Sequence, residues 1–411
     1  MFTTLRVNTL RDTRVNIREH VQSQIDKQYS ERNQVAPIIT EHPILGDTLV
    51  IPSNGPMHIQ PVAKKVIVGL GCGVAVLRGA NVFAQGVMGA PKNMSQGDTV
   101  SVHADIDGSC KKGFVQNFEG ASVFVGNGII EIGRRDLFCT AESEKVRGVA
   151  LRMTEPLYEA PSLSDLSSEI VFPQNLPSIV CVHVLDPQPG ERILDMCAAP
   201  GGKTTHIASL MKNQGRVVAL DKSASKREKL LTNVHQWSAS CVEVYTFDSS
   251  RCIQSDADIT GPPPYPTGSF DRVLLDAPCS ALGQRPSCRN KMTLAEVKSY
   301  PALQRKIFTK AVEAVKEGGV LVYSTCTIPV EENEHQVAWA LQQFPCLRLD
   351  QQTPNVGGQG RQDNMLTDEQ CTLVQRLDPR CIATETPTVN SDTIGFFIAK
   401  FVKLNYRNAA T

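Results

Sequence analysis

The fold of this 411-residue chain is decided by the run Arg192-Ile193-Leu194-Asp195-Met196-Cys197-Ala198-Ala199-Pro200-Gly201-Gly202-Lys203-Thr204. Its apolar beginning predicts a strand that ends at Asp195, and a helix is expected from Gly202 to Met211. The glycines between them let the backbone approach a ligand where a side chain would collide. The amides at the helix N-terminus would face that ligand. The run therefore predicts the first strand, turn and helix of an α/β fold with a ligand site at the turn.

Strands and helices alternate around this run, throughout the segment 190–350. Near-continuous apolar strands in such an alternation indicate a parallel sheet covered by helices on both faces. The strands are predicted at 192–195, 216–221, 242–247, 270–275 and 319–323, and the later helices at about 222–235, 301–316 and 331–341. A late apolar run, 394–401, predicts a closing strand. We therefore expect a Rossmann-like, doubly wound α/β domain over 156–411.

Two smaller units precede this domain. Residues 1–61 predict an α+β leader, with a strand at Thr4–Val7 and an amphipathic helix over about 14–30. Residues 62–155 are rich in glycine and in short β-type runs, which is typical of a small all-β barrel. Those runs lie at 65–68, 75–77, 82–83, 100–102 and 123–125. The glycines at 69–73 resemble a dinucleotide-binding turn, but no acidic residue follows until Asp98, so we interpret them as a β-turn of the barrel.

Composition and charge set wider bounds. Lys+Arg is 42 and Asp+Glu is 42, so net charge neither supports nor excludes nucleic-acid binding. None of the 13 cysteines forms a C-x-x-C pair and no histidine pair has zinc-finger spacing, so no metal is expected. No stretch approaches the roughly 20 apolar residues of a membrane span. We expect a monomeric protein of the reducing cytoplasm.

Acidic residues follow successive predicted strands, at Asp195, Asp221, Asp248 and Asp276. A single such aspartate is often only a turn former or a helix cap, but four at the same edge favour a ligand site. Asp221 is placed to accept hydrogen bonds from ribose hydroxyls, and Asp248 could reach a base. The turn is neither G-x-G-x-x-G nor a P-loop, because no glycine lies five residues before Gly202. The pattern therefore predicts a nucleoside-bearing cofactor other than NAD.

Two cysteines lie in strand-end loops beside this turn, in Asp276-Ala277-Pro278-Cys279 and in Ser324-Thr325-Cys326-Thr327. A thiolate that adds to C6 of a pyrimidine makes C5 nucleophilic enough to attack a methyl donor. An acid near N3 would favour that addition, and Asp276 is a candidate. Either cysteine alone would more often be an inert packing residue. Their shared position favours methyl transfer to a pyrimidine through a covalent adduct.

These motifs resemble the Sun-domain family of RNA cytosine-5 methyltransferases. The resemblance lies in Asp195–Thr204, Asp276–Ser280 and Ser324–Thr327, and extends to Leu5–Thr9 and Pro173–Ser178. The insert at 62–155 is similar to a PUA domain, an RNA-binding module. Its position resembles that in the PUA-containing, sixth type of the family. The resemblance implies a Rossmann-like methyltransferase that uses S-adenosylmethionine on a cytosine near the 3′ CCA end of certain transfer RNAs, and in some messenger RNAs.

The resemblance also implies roles for individual residues. Cys326 would be the nucleophile, Cys279 would assist product release, and Asp276 would lie close to the target base. The expected cofactor-binding residues are Cys197, Ala198, Ala199, Pro200, Gly201, Gly202, Lys203, Asp221, Asp248 and Asp276. In the insert, Lys111 and Lys112 precede Gly113 and Phe114, and this basic turn is a candidate RNA contact, although a lysine pair more often is merely solvated.

Two departures and two alternatives accompany this interpretation. The family usually has glycine where this chain has Ala281, and it has a helical segment before the Leu5–Thr9 motif, so we expect a shortened leader. The first alternative is a non-catalytic RNA-binding protein that retains the fold, which the presence of Cys326, Cys279 and Asp276 disfavours. The second is a small-molecule methyltransferase, which would not need the PUA-like insert.

Overall fold

The computed structural model describes residues 2–31, 34–138, 146–163, 166–290, 292–378 and 388–405. Within these ranges the strands form three β-sheets of four, eight and six strands. The four-stranded sheet belongs mainly to the leader, the six-stranded sheet to the insert and the eight-stranded sheet to the C-terminal domain. Each sheet corresponds to one of the three segments recognised in the sequence. The exception is one strand from after the insert, which joins the leader sheet.

The leader sheet is completed by a strand from beyond the insert. Its strands, in order across the sheet, are β10 (Val171–Pro173), β1 (Phe2–Val7), β3 (Thr48–Pro52) and β2 (Thr40–Glu41). Helix α1 (Arg14–Ser30) buries Ile17, Val21, Ile25 and Tyr29 against this sheet, as its four-residue spacing predicted. Because β10 pairs with β1, the leader is anchored to the segment that enters the C-terminal domain.

The insert forms a mixed six-stranded sheet. Its strands, in order, are β5 (Val82–Phe83), β9 (Val149–Pro156), β8 (Ser122–Ile130), β7 (Thr99–Asp105), β4 (Lys65–Gly69) and β6 (Val87–Gly89). The predicted β-turn at 69–73 and the predicted strand at 75–77 are wrong, because α2 (Leu70–Val76) occupies this stretch. A Cβ at Gly73 would lie 2.3 Å from Ala104 Cβ, so the glycine lets the helix pack closely on β7. A short helix, α3 (Arg134–Leu137), follows β8.

The C-terminal domain is a doubly wound sheet, which confirms the predicted Rossmann-like α/β fold. Its strands, in order, are β13 (Val242–Thr246), β12 (Arg216–Asp221), β11 (Arg192–Asp195), β14 (Phe270–Asp276), β15 (Val315–Thr325), β18 (Phe396–Lys403) and β16 (Leu347–Leu349), and β17 (Val374–Leu377) also pairs with β18. The first five are parallel, and β18 is antiparallel to β15. Chain order reverses between β11 and β14, and such a switch point is where ligands bind in this fold.

Helices cover both faces of this sheet. They are α4 (Leu176–Leu185), α5 (Gly202–Leu210), α6 (Ala224–Gln236), α7 (Leu294–Ala314), α8 (Glu334–Gln343) and α9 (Asp368–Thr372). Helix α4 was not predicted, because it is mostly apolar and buries eight of its ten residues in the core against the sheet. The predicted start of α7, at Pro301, was also seven residues too late, although a capping box of Thr293 and Glu296 starts the helix. In the part of the chain that the structure describes, no helix is long and apolar enough to cross a membrane.

Candidate active site

The glycine turn lies at the carboxyl end of β11 and leads into α5. Gly201 has a φ of +107° and a Cβ there would lie 2.7 Å from Leu230 Cδ1, so both conformation and packing require glycine. Asp195 at the end of β11 is buried, and its Oδ2 accepts a 2.7 Å hydrogen bond from Thr204 Oγ1. Burial raises the pKa of Asp195 to about 7. The turn is therefore a rigid, closely packed element at the switch point.

The other residues of the turn continue around this edge. Cys197 is packed against the main hydrophobic core, and burial raises the pKa of its thiol well above the ordinary value. The Cys197 side chain is thus a protonated packing group. Ala199 N donates a 3.2 Å hydrogen bond to Asp221 Oδ2, so the turn is fastened to the end of β12. Because the side chains of Ala198 and Ala199 are small, the backbone of this turn is the part that a ligand would contact.

Asp221 and Asp248 lie on neighbouring segments of the same edge. Asp221 ends β12, and its Oδ1 accepts from Ser223 N at 2.9 Å. Asp248 lies two residues beyond β13 rather than at its end, and Lys222 Nζ is 2.9 Å from its Oδ2. The side-chain hydrogen bond from Lys222 is the main cause that lowers the pKa of Asp248. Two hydrogen-bonding carboxylates therefore lie next to the turn.

Asp276 and Lys203 form a partly buried ion pair at the end of β14. Lys203 Nζ lies 2.7 Å from Asp276 Oδ2, and Ser324 Oγ donates to Asp276 Oδ1 at 2.7 Å. Burial is the largest single effect and would lower the pKa of Lys203, but the charges of Asp276, Cys181 and Cys326 and the hydrogen bond to Asp276 together raise it. Lys203 Nζ also lies 3.3 Å from Ser178 Oγ on α4. The pair fixes the Asp276 carboxylate beside the two cysteine loops.

The two cysteines face each other across adjacent loops. Cys279 Sγ and Cys326 Sγ are 3.5 Å apart and both side chains are partly exposed. A hydrogen bond from Cys279 is the largest cause that lowers the pKa of Cys326 to about 7, and Lys203 adds a smaller effect of the same sign. The same contact, with burial, raises the pKa of Cys279. The contact lets one thiol stabilise the other as a thiolate, and the direction of the pKa shifts favours Cys326 as the more acidic of the two.

The lysines predicted to bind RNA lie in a different part of the molecule. Lys111 and Lys112 are both exposed in the loop between β7 and β8 of the insert. Lys112 Nζ donates to the carbonyls of Ala84 and Gln85, each at 3.2 Å, and partial burial lowers the pKa of Lys112. The structure does not bring this pair into the cysteine cluster, so any shared role requires a ligand long enough to reach both.

The loop that follows Cys279 touches the insert. Arg289 Nη1 donates to Ile106 O at 3.2 Å and to Asp107 Oδ1 at 2.6 Å, and Arg78 Nη2 donates to Arg285 O at 3.1 Å. Within this loop Ala281 has a φ of +53°, in the left-handed region that favours glycine. The departure noticed in the sequence therefore falls at a position where the backbone conformation suits glycine better.

Among the described residues, one group could ligate a metal, namely Asp47, His183 and His206. His183 Nε2 lies 2.9 Å from Asp47 Oδ1, and His206 Nε2 lies 2.6 Å from Asp47 Oδ2. Burial lowers the pKa of His206 to about 4, so its neutral ring donates to the carboxylate. The group fastens the leader to α4 and α5, and hydrogen bonding between its members accounts for its arrangement.

Sequence reasoning found the cysteines, the acidic strand ends and the turn, but it missed Ser178 and Ser324. Ser178 ends the Pro173–Ser178 motif, and its place beside Lys203 depends on the packing of α4. Ser324 precedes the Cys326 loop on a neighbouring strand, and its bond to Asp276 spans 48 residues of sequence. Only the parallel pairing of β14 with β15 brings these two together.

Comparison with known proteins gives a consistent set of relatives. A model of the family described as 16S rRNA methyltransferase RsmB/F matches residues 182–402, which include the glycine turn and both cysteine loops. The chain is 47% identical to the tRNA (cytosine(72)-C(5))-methyltransferase NSUN6 of Mus musculus, over 98% of this chain and 87% of that protein. It is 46% identical to NSUN6 of Homo sapiens, over 98% and 88%. The crystal structure of NSun6 from Pyrococcus horikoshii with SFG aligns with a TM-score of 0.78 at 31% identity, over 98% of this chain and 91% of that one.

Proposed function

We propose that this chain, which belongs to the RsmB/F or Sun-domain family of RNA cytosine-5 methyltransferases, methylates a cytosine near the 3′ CCA end of transfer RNA through a covalent adduct. Membership of the family confirms the resemblance found in the sequence. The enzyme is S-adenosylmethionine-dependent, and its similar structure from Pyrococcus horikoshii was solved with SFG, an analogue of that methyl donor. The covalent route and the roles of individual residues are supported by the arrangement of the site.

The observation that carries the proposal is the close thiol pair beside a partly buried ion pair. Cys326 Sγ and Cys279 Sγ are 3.5 Å apart, and the pKa of Cys326 is lowered to about 7. A pKa near neutrality gives a large thiolate fraction at physiological pH, which nucleophilic attack requires. A pair of inert packing cysteines would keep both protons, because burial alone raises a thiol pKa.

The residues of the turn fit S-adenosylmethionine in chemistry. Asp221 and Asp248 offer carboxylate oxygens to ribose hydroxyls and to an adenine amino group, and the N-terminus of α5 offers amides. The buried Asp195 carboxylate anchors the start of this turn through its hydrogen bond from Thr204 Oγ1. When bound there, S-adenosylmethionine supplies the methyl group. The proposed binding residues are those of the sequence prediction, 197–203 with Asp221, Asp248 and Asp276.

In the proposed reaction Cys326 Sγ bonds to C6 of the cytosine, which makes C5 nucleophilic toward the methyl donor. The Asp276 carboxylate, held in place by Lys203 and Ser324, accepts from the exocyclic amine and, once N3 is protonated, from N3–H. After methyl transfer a base removes the C5 proton, the C5–H electrons form the C5–C6 double bond, and the C6–S bond breaks. Cys279 then stabilises the departing Cys326 thiolate through its S–H, the bond that exists in the free enzyme.

The insert supports RNA docking in the proposal. Residues 62–155 would hold the unpaired 3′ end, with Lys111 and Lys112 as phosphate contacts. The exposed lysine side chains offer positive charge on the insert. The contacts of Arg289 with Ile106 and Asp107 join the insert to the Cys279 loop. A frayed end also lowers the cost of unstacking the target cytosine, which is a few kcal/mol. We further propose that the enzyme acts as a cytoplasmic monomer and accepts messenger RNA with a similar unpaired cytosine.

The test is transfer of radioactive methyl from S-adenosylmethionine to RNA by the full chain. We expect incorporation into transfer RNA as 5-methylcytosine near the 3′ end, and abolition by Cys326→Ala. An RNA that lacks the unpaired 3′ nucleotides should be a poor substrate, and a messenger RNA fragment forms a further arm. Substantial turnover by Cys326→Ala would contradict the covalent route. RNA binding without methyl transfer by the unmodified chain would instead support the non-catalytic alternative.

A further inference from the structure

Three consecutive polar side chains, Glu332, Asn333 and Glu334, are completely buried just after the Cys326 loop. Glutamate and asparagine are rarely buried unless each polar group has a partner, so such a run calls for an explanation. Glu331, the residue before it, is exposed. The run joins a short 3₁₀ turn, Val330–Glu332, to α8. Each of its side chains holds a different segment of the molecule.

Glu332 holds the backbone on both sides of Cys279. Its Oε2 accepts from Ser280 N and from Gln304 Nε2, each at 3.0 Å, and its Oε1 accepts from Ser280 Oγ at 2.5 Å. Gln304 Nε2 also donates to Pro278 O at 3.0 Å. The residues immediately before and after Cys279 are thus tied, directly or through Gln304, to one buried carboxylate.

Asn333 holds the residues on both sides of Cys326, Thr325 through its side-chain hydroxyl and Thr327 through its backbone carbonyl. Its Oδ1 accepts from Thr325 Oγ1 at 2.5 Å, and its Nδ2 donates to Thr327 O at 3.1 Å. The residues that flank Cys326 are therefore fixed by a single amide, whose acceptor and donor are both used.

The two loops are also joined to each other and to the rest of the sheet. Ser280 Oγ and Thr327 Oγ1 are 2.7 Å apart, and Gly283 N donates to Cys326 O at 3.1 Å. Glu334 anchors the run itself through a buried bidentate pair with Arg376 on β17, at 2.8 and 2.7 Å. Glu332 and Asn333 are adjacent, and Glu334 anchors them. Both cysteine loops are therefore hydrogen-bonded to one rigid segment.

We infer that Glu332 and Asn333 are positioning residues that set the separation of the Cys279 and Cys326 thiols for the reaction. The inference rests on the proposed roles of the two cysteines. Both side chains act on residues that flank the cysteines, and so they act through Cys279 and Cys326. A displacement of about 1 Å at reacting groups can cost on the order of 100-fold in rate. Their loss should therefore lower kcat and leave substrate affinity nearly unchanged.

Conservative and disruptive changes separate this role from a merely structural one. Glu332→Gln keeps one oxygen for Ser280 N and Gln304 Nε2 and places an amide against Ser280 Oγ, which can accept from it. Glu332→Ala leaves those groups unpaired. Asn333→Asp is isosteric but replaces the donor to Thr327 O with an acceptor. Glu331→Ala is the matched control, because this neighbouring glutamate is exposed.

The experiment has two readouts. The first is methylation kinetics with transfer RNA. We expect Glu332→Ala and Asn333→Asp to lose about 100-fold in kcat, while KM for both substrates stays within about threefold of the unmodified enzyme. The kcat of Glu332→Gln should stay within about tenfold of that enzyme. The second needs no RNA: the pH dependence of Cys326 alkylation by iodoacetamide, read by mass spectrometry of its peptide. Its midpoint should rise by about one pH unit or more in the disruptive variants as the thiols separate.

Each result decides the inference. The inference is overturned if Glu332→Ala and Asn333→Asp show the same alkylation midpoint as the unmodified protein, or the same kcat. A Glu332→Gln variant as impaired as Glu332→Ala would also overturn it, since the buried charge rather than the geometry would then matter. If Glu332→Ala does not fold, as judged by S-adenosylmethionine binding, Asn333→Asp decides by the same two readouts. If the unmodified chain methylates no RNA, the proposed function fails, while the alkylation midpoints still test the positioning.

Discussion

Replacing Cys279 by alanine should raise the pKa of Cys326 and shift the pH at which it becomes reactive. The Cys279 S–H lies 3.5 Å from Cys326 Sγ and is the largest cause of a pKa near 7 instead of the ordinary 9.0. At pH 7.5 a thiol with a pKa of 7 is about 76% ionised and one with a pKa of 9 is about 3% ionised. Without the hydrogen bond, the thiolate fraction should therefore fall by up to about 25-fold.

The sign follows from the direction of the shift. A lowered thiol pKa means that the thiolate is present above about pH 7 and is lost as the pH falls through that value. A more basic thiolate is also intrinsically more nucleophilic, which offsets part of the loss in rate at any single pH. The midpoint of the pH profile is therefore a better measure than the rate.

The assay is alkylation of Cys326 by iodoacetamide between pH 5.5 and 9.5, on the order of one point per half unit across the expected range. We expect a midpoint near 7 for the unmodified protein and one higher by about one to two units for Cys279→Ala. Cys279→Ser is the matched control, since its hydroxyl still donates and should keep the midpoint low. An unchanged midpoint in Cys279→Ala would refute the argument that Cys279 stabilises the Cys326 thiolate.

Three further predictions concern the cofactor, the RNA and the loop. Asp221→Ala or Asp248→Ala should weaken S-adenosylmethionine binding in calorimetry by roughly tenfold or more, because each lost hydrogen bond is worth about 1–3 kcal/mol. RNA affinity should stay nearly constant, and the reverse pattern would place these residues outside the cofactor site. A Lys111→Ala/Lys112→Ala double variant should bind transfer RNA more weakly and with a flatter salt dependence, yet bind the cofactor normally; an unchanged salt slope would exclude these phosphate contacts. Ala281→Gly should raise the free energy of unfolding by about 1 kcal/mol, because it relieves the left-handed conformation. Ala338→Gly within α8 is the control and should lower the free energy of unfolding by about 1 kcal/mol. Destabilisation by both variants would contradict the proposed strain at Ala281.

The catalytic fold was predictable because its signals are local. The run from Arg192 to Thr204 contains a strand, a turn and a helix start in sequence order, and the structure places these elements at Arg192–Asp195 and Gly202–Leu210. Helix α4 was missed for a physical reason. Eight of its ten residues are buried, so the sequence from Leu176 to Leu185 lacks the clear 3.6-residue period that identifies a surface helix.

The β-turn predicted at 69–73 in the insert was wrong because glycine favours turns but also permits close helix packing. The glycines at 69–73 suggest a turn, but Gly73 provides the close contact between α2 and Ala104. Strand β10 was likewise unpredictable, since its pairing with β1 joins residues separated by more than 160 positions. Local patterns carry no information about such long-range contacts.

The candidate site was predictable in its residue types but not in its connections. Asp276, Cys279 and Cys326 were found from their position after strands, whereas the partners of Asp276 lie 73 and 48 residues away in sequence. The difference between the two thiols also depends on their 3.5 Å separation, which no spacing in the sequence reveals. Glu332 and Asn333 resemble ordinary helix-start residues until their burial is known.

The central claim is that Cys326 bonds to RNA and Cys279 is needed for its release, and trapping of the adduct tests it most directly. Cys279→Ala is incubated with transfer RNA and S-adenosylmethionine, separated on a denaturing gel and digested, and the modified peptide is identified by mass spectrometry. We predict a protein–RNA conjugate that survives denaturation, attached at Cys326 and absent in the Cys279→Ala/Cys326→Ala double variant. Normal turnover of Cys279→Ala without a conjugate, or attachment at another cysteine, would contradict the account.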